Sequence, residues 1–340
     1  MNTTYATASD AVKLVESGNR VFIHGSAATP LKLVDALLKR AGTVKDVELV
    51  AISTYGKIDW NHPEIINSFY FNALFVSENI REWANSERGG YIPVFLSEIP
   101  RLFDKGTLPI DVAMVHVSPP DEHGYCTLGT SADIAISAVR NAKKVIAQVN
   151  PRMPRVLGDG IIHYSRFDKL VWGEEELPEV NYAARIDPVS EKIGMQVASL
   201  IEDGSTLQMG IGAIPDAVLR SLKGHKDLGV HTEMFSDGVI PLVESGVINN
   251  SRKKLHSGKI VSAFILGTRK VYDFTDNNPY VNCMDVSYVN DVATIRQNPK
   301  VVAINSAIEI DITGQVCADS IGTFQYSGIG GQMDFMRGAA

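Results

Sequence analysis

Cysteine is scarce in this 340-residue sequence: Cys126, Cys283 and Cys317 are its only three. They are odd in number, widely scattered and without C-x-x-C spacing, which sets aside a disulfide framework, a zinc knuckle and a redox dithiol in favour of buried reduced thiols. Long apolar runs are missing too. Nothing approaches the roughly 18 consecutive apolar residues of a membrane span, and the opening MNTTYATASD lacks the basic-then-apolar order of a secretion signal. A membrane partner is therefore not expected, and the cytoplasm is the default compartment. Positive charge is not in excess: the formal net charge of -7 argues against a nucleic-acid partner. An anionic ligand would have to be held by local amide dipoles and a few bases. The sequence also has no G-K-[ST] phosphate loop, no G-x-S-x-G elbow and no H-E-x-x-H pair. His116 and His123 flank Pro119-Pro120-Asp121-Glu122, which reads more simply as a rigid proline loop than as a ligand set, and no metal is expected.

What is present describes an ordinary globular chain, with 45% apolar and 21% charged residues. Its length favours two domains. An internal repeat supports this. Ala8 to Ser17 has helical apolar spacing with Ser9 as a plausible cap and Gly18 as a stop; Arg20 to His24 reads as a strand; Pro30 opens a helix running to Arg40. The same order returns as a helix over Glu191 to Glu202, Gly204, a strand over Ser205 to Met209, and a helix starting at Pro215. Glu16-Ser-Gly18 matches Glu202-Asp-Gly204, and Asp121-Glu-His-Gly124 matches Asp311-Ile-Thr-Gly314, at a constant offset of about 185 to 190 residues. Further strands are expected at Val47 to Ser53, Asp111 to Val117 and Lys144 to Asn150, with helices near Ser77 to Ser86 and Asp133 to Asn141. The fold class is thus α/β: two similar open, mainly parallel domains, residues 1–185 and 186–340. The acidic run Glu174 to Glu179 reads as solvated linker surface. By the same arithmetic the second copy stops before any counterpart of Pro151 to Asp187, so it is expected to be truncated at its C-terminus.

Chemistry centres on Gly229-Val-His-Thr-Glu-Met-Phe-Ser-Asp-Gly238. It sets one carboxylate, Glu233, between an apolar strand-like run ending at His231 and the turn Ser236-Asp237-Gly238. Upstream, Gly210-Ile-Gly212-Ala-Ile-Pro215 leaves a strand and opens a helix, where free N–H groups and the helix dipole suit an anion. Pro215 stands in place of the third glycine of a dinucleotide fingerprint. Downstream, Ser327-Gly-Ile-Gly330-Gly331-Gln-Met-Asp334 offers flexible amides of the sort an oxyanion needs. Packing alone accounts for either glycine cluster, and local sequence leaves Glu233 open as a surface residue, a general base or a nucleophile. Arg252-Lys253-Lys254 is a solvated basic turn or a phosphate contact.

Taken together, Ser118-Pro-Pro-Asp-Glu-His-Gly124, Gly210-Ile-Gly-Ala-Ile-Pro215, His231-Thr-Glu-Met-Phe-Ser-Asp-Gly238 and Gly330-Gly-Gln-Met-Asp-Phe335 carry a resemblance across essentially the whole chain. It resembles the acetyl-CoA hydrolase/transferase family, in its branch of 4-hydroxybutyrate and butyryl-CoA:acetate CoA-transferases. The resemblance implies a ping-pong transfer of CoA between a short-chain acyl-CoA and a small carboxylate such as acetate. Glu233 would be the covalent nucleophile, and the Asn290 side-chain amide and the Gly331 backbone N–H the oxyanion donors. Gly210, Ile211, Gly212, Ala213, Ile214, Ile308 and Gly331 would touch coenzyme A, which is a substrate, with no prosthetic group. It also implies a homo-oligomer, dimer or larger. An acyl-CoA hydrolase using the same glutamate and a non-catalytic CoA-binding module are the alternatives. His24, Tyr55 and Gln208 are candidates for the acyl end. Similar proteins continue beyond the Asp334-Phe-Met-Arg-Gly-Ala339 segment, in line with the truncation inferred from the repeat.

Overall fold

The computed structural model of the chain describes residues 4–60 and 62–340. The first sheet draws on β1 (Arg20–Ile23), β2 (Val47–Ala51), β3 (Phe69–Ala73), β4 (Gly89–Tyr91) and β5 (Val112–Val117). After the short strand β6 (Tyr125–Thr127) come β7 (Lys144–Val149), β8 (Ile161–His163) and β9 (Lys169–Trp172). The second sheet uses β10 (Thr206–Met209), β11 (Gly229–Phe235), β12 (Ile260–Ile265), β13 (Val281–Cys283) and β14 (Val301–Ile304). Spatial order in the first sheet is β4-β3-β2-β1-β5-β7-β9 and in the second β13-β12-β11-β10-β14, with β6 and β8 forming a separate antiparallel pair. Strand for strand, the second order repeats the first five positions of the first. Every pairing within the two sheets is parallel. The α/β duplication read from the repeat is therefore present in the topology.

The central strands are Val- and Ile-rich because both of their faces are buried. Val112 to Val117 is buried at every position, and so is Ile260 to Ile265. Helix Leu31–Leu38 places Leu33, Val34, Leu37 and Leu38 on its inner face, with Pro30 at its cap. Its counterpart, Ala213–Ser221, is capped by Gly212. Helix Pro188–Ala198 starts at Asp187, whose side chain accepts from the Ser190 amide. At Gly194 it approaches the Ala213–Ser221 helix so closely that an added Cβ would lie 2.6 Å from the backbone carbon of Ala217.

The two halves share their apolar core. Phe22, Val50 and Val115 of the first sheet's half belong to one buried cluster with Ala263, Phe264, Val289 and Phe335 of the other. Backbone bonds cross as well: Ala132 and Asp133 donate to Ala263 O, and Ile265 donates to Thr130 O. Cys283 donates to Leu157 O, and its own carbonyl accepts from Asp159.

Several local expectations need correction. The N-terminal helix is capped by Thr7, whose Oγ1 accepts from Asp10 N, instead of by Ser9. It spans only Ala8–Ala11 before tightening into a 3-10 turn, Val12–Leu14. The segment near Ser77 to Ser86 splits into the 3-10 turn Glu78–Ile80 and a short helix, Arg81–Ala84. The acidic run is not wholly solvated. Glu175 turns inward to accept from Gln148 Nε2, and Leu177 is buried. Lys253 also leaves the solvated turn assigned to it: it is buried, with Nζ donating to Val230 O at 2.8 Å and Lys259 O at 2.7 Å.

Candidate active site

Glu233 lies inside β11 and not in a loop after it, since the strand runs on to Phe235. Pairing with β12 holds it there: Met234 lies beside Phe264, and Ser262 Oγ donates to the Glu233 carbonyl at 3.1 Å. On the other side β10 sets Leu207 beside Val230. Thr232 Oγ1 donates to Met209 O at 3.0 Å and accepts from Met209 N. Continuing that register brings Gly210, the first residue of the glycine loop, level with Glu233 at the carboxyl edge of the sheet. Open α/β sheets place their ligands along that edge.

Asn290 follows the short helix Val286–Val289 and is buried; its Nδ2 donates to Glu233 Oε2 at 3.1 Å. Gly331 caps the helix Gln332–Ala339. A Cβ at this position would sit 1.8 Å from Glu233 Oε2 and 2.2 Å from Asn290 Nδ2, so only glycine lets the backbone approach the carboxylate this closely. Glu233, Asn290 and Gly331, distant in sequence, thus meet at one point. Gly331 is held there by the first half. Gly330 O accepts from Leu96 N, Ile329 N donates to Tyr91 Oη, and Arg81 stacks over Tyr326 with its guanidinium carbon 3.9 Å from the ring centroid.

The electrostatics suit a reactive carboxylate. Glu233 keeps some exposure, yet burial pushes its carboxyl up to about 7; Asp334 and Asp133 add to the push, while Asn290 and the Gly331 amide oppose it. Carboxyls raised by burial beside other carboxylates cluster at functional sites. Asp334, buried, accepts from Ser97 N at 3.2 Å and Ser97 Oγ at 2.8 Å, and burial raises its own carboxyl. Behind the strand His231 is buried, with Nε2 bonded to Val289 O at 2.8 Å, so it braces the turn that carries Asn290.

The remaining predicted residues fall in two places. Gly210 to Gly212 forms a half-exposed loop on the same edge, with Gly212 at φ +133, which other residues rarely adopt, and Ala213 and Ile214 already belong to the helix that Gly212 caps, two residues before the expected start at Pro215. Ile308 begins an exposed hairpin beyond β14 and donates from its amide to Cys317 O. Among the described residues no hydrogen bond ties it to the Glu233 cluster. His24 is buried against Ser131 O at 2.6 Å, Gln208 accepts from Asn305 Nδ2 at 3.1 Å, and Tyr55 is bonded to Tyr182. None of the three bonds to Glu233, Asn290 or Gly331. His116 is buried and His123 exposed, so the proline loop does not bring them together. Sequence reasoning gave no role to Asp334, Ser97, Asp133 or His231. Asp334 and His231 sat in quoted motifs; Ser97 carried no signal, because its partner is 237 residues away.

A parallel α/β duplication with a carboxylate set among amide donors at a strand edge defines a class of acyl-transfer site. Residues 2–183 match the acetyl-CoA hydrolase/transferase N-terminal domain and residues 267–340 the corresponding C-terminal domain. The chain belongs to the acetyl-CoA hydrolase/transferase family. It is 50% identical over 329 residues to the succinyl-CoA:acetate/propanoyl-CoA:succinate CoA transferase of Fasciola hepatica, covering 96% of this chain and 68% of that protein. It is 48% identical over 333 residues to the 4-hydroxybutyrate coenzyme A transferase of Clostridium kluyveri, covering 98% of this chain and 77% of that one. The crystal structure of 4-hydroxybutyrate CoA-transferase from Porphyromonas gingivalis superposes with a TM-score of 0.84 at 36% identity, over 98% of this chain and 77% of that one.

Proposed function

We propose that the protein is a CoA-transferase that moves CoA between a short-chain acyl-CoA, such as 4-hydroxybutyryl-CoA or butyryl-CoA, and a carboxylate such as acetate. The single observation that carries this reading is the Glu233 carboxylate held between Asn290 Nδ2 and the Gly331 amide at a sheet edge shared with a helix N-terminus. The names of the two relatives given above, both CoA-transferases acting on different carboxylates, support it.

The reaction runs in two halves. Glu233 attacks the thioester carbon of acyl-CoA; the C–S bond breaks, leaving an acyl-glutamyl anhydride and CoA thiolate. The thiolate attacks the glutamyl carbon, expels the acyl group as its carboxylate and forms a glutamyl-CoA thioester. An incoming carboxylate reverses both steps and leaves with CoA. Each attack passes through an oxyanion, which Asn290 Nδ2 and Gly331 N–H stabilise. No proton is gained or lost overall. Because carboxylates are weak nucleophiles, interactions with the remote nucleotide part of CoA must lower the barrier at the reacting carbon. Gly210 to Ile214 at the helix N-terminus, with Ile308, supply those contacts.

In this reading residues 1–185 and 186–340 are the two domains, CoA is a substrate with no prosthetic group or metal required, and the protein works in the cytoplasm as a homo-oligomer. Glu233→Gln removes the nucleophile with little change in shape. It should lower the exchange of labelled acetate into acetyl-CoA by at least about a thousandfold. A variant that retains a tenth of the exchange rate sinks the assignment. Thioester loss that proceeds equally well without added acetate would instead identify a hydrolase.

A further inference from the structure

The Asn290 amide has nearly the same shape with its oxygen and nitrogen interchanged, so only its neighbours decide which end faces the reacting centre. Its Nδ2 lies 3.1 Å from Glu233 Oε2 and 3.4 Å from Asp334 Oδ2, while among the described residues Oδ1 has no hydrogen-bond partner. Two carboxylates on one side admit only the donor end. Glu233 cannot keep that polarity throughout turnover, because its charge disappears whenever it is an anhydride or a thioester. Asp334 keeps its place throughout. Ser97 of the other half grips both of its oxygens, from Oγ at 2.8 Å and from the backbone amide at 3.2 Å.

We propose that Asp334 is a positioning residue that fixes the polarity of the Asn290 amide, holding Nδ2 toward the reacting carbonyl while Glu233 is covalently occupied. The proposal rests on the oxyanion role given above to Asn290. One Nδ2 hydrogen stays on Asp334, and the other passes from the resting Glu233 carboxylate to the acyl or glutamyl oxygen as charge develops there. Asp334 Oδ2 accepts from Ser97 N as well as from Asn290 Nδ2, so an asparagine would keep its oxygen at that point, whereas alanine removes the acceptor that holds Nδ2. The amide is then free to turn, and an acceptor faces the oxyanion.

A double-mutant cycle tests this. Asp334→Ala should lower kcat about 100-fold, the usual loss for one oxyanion donor, with the KM for acyl-CoA changed less than about threefold, and Asp334→Asn should restore most of that loss. In an Asn290→Ala background Asp334→Ala should cost less than about twofold, because Asp334 acts through Asn290. A wild-type kcat in Asp334→Ala, or a full second loss in the Asn290→Ala background, overturns the proposal and leaves the function intact. An Asn290→Ala protein with wild-type kcat overturns the oxyanion assignment and this proposal with it. If thermal melting shows that Asp334→Ala does not fold, Ser97→Ala takes its place. It should reduce kcat several-fold alone and not at all in the Asn290→Ala background, and additive losses overturn the proposal.

Discussion

In the proposed reaction the chemistry rests on one side chain whose protonation state is set by its surroundings. Burial raises the Glu233 carboxyl from 4.5 to about 7, and the neighbouring Asp334 and Asp133 carboxylates act in the same direction. Only the ionised form is a nucleophile. The kcat/KM profile should therefore fall about tenfold per pH unit below pH 7 and level off above it, since that parameter reports the free enzyme. A limb centred near 4.5 would show that the carboxylate is solvated and that the desolvation argument fails. Glu233 was recognisable from its motif, as was the need for donors around it. The spacing of residues did not reveal that Asp334 and Ser97 complete the cluster, because the hydrogen bond joining them crosses from one half of the chain to the other.

Among the elements, β11 does most to shape the site, and Lys253 anchors its start. Its buried ammonium donates to Val230 O and Lys259 O, and burial depresses its pKa from 10.5 to about 7. Between those values the unfolded chain holds the proton and the folded chain does not, so stability rises with pH across that window; below pH 7 the full cost of burying the charge is present. Lys253→Met should consequently raise the melting temperature at pH 6 to 7, with the gain shrinking as pH climbs toward 10. A gain independent of pH would contradict this. Elements whose signals are local were legible, Pro30 before a helix and Val-rich runs as strands, whereas Gly18 and Gly204 lie in turns beyond helical segments that already end at Leu14 and Ala198. The end of β11 was not. The residues Glu233 to Phe235 look like a loop in sequence, and pairing of Met234 with Phe264 and Phe235 with Ile265 of β12 makes them strand. Tertiary pairing overrides local preference here.

At the scale of the whole molecule the repeat gave the architecture, because identical strand orders leave matching landmarks along the chain. It did not show how the copies join. Strand β12 bonds to residues 130–133, β13 bonds to residues 157–159, and one apolar cluster spans both sheets. Calorimetric melting should accordingly give a single cooperative transition; two transitions separated by several degrees would mean that the halves are energetically independent. This joining is also what delivers Gly331, docked on the first half, to Glu233 on the second. The most direct test of the account is to incubate the protein with acyl-CoA, digest it, and weigh the peptide that contains Glu233. The account predicts a CoA-derived mass on Glu233 that is discharged by added acetate, and an unmodified peptide under turnover conditions would contradict it.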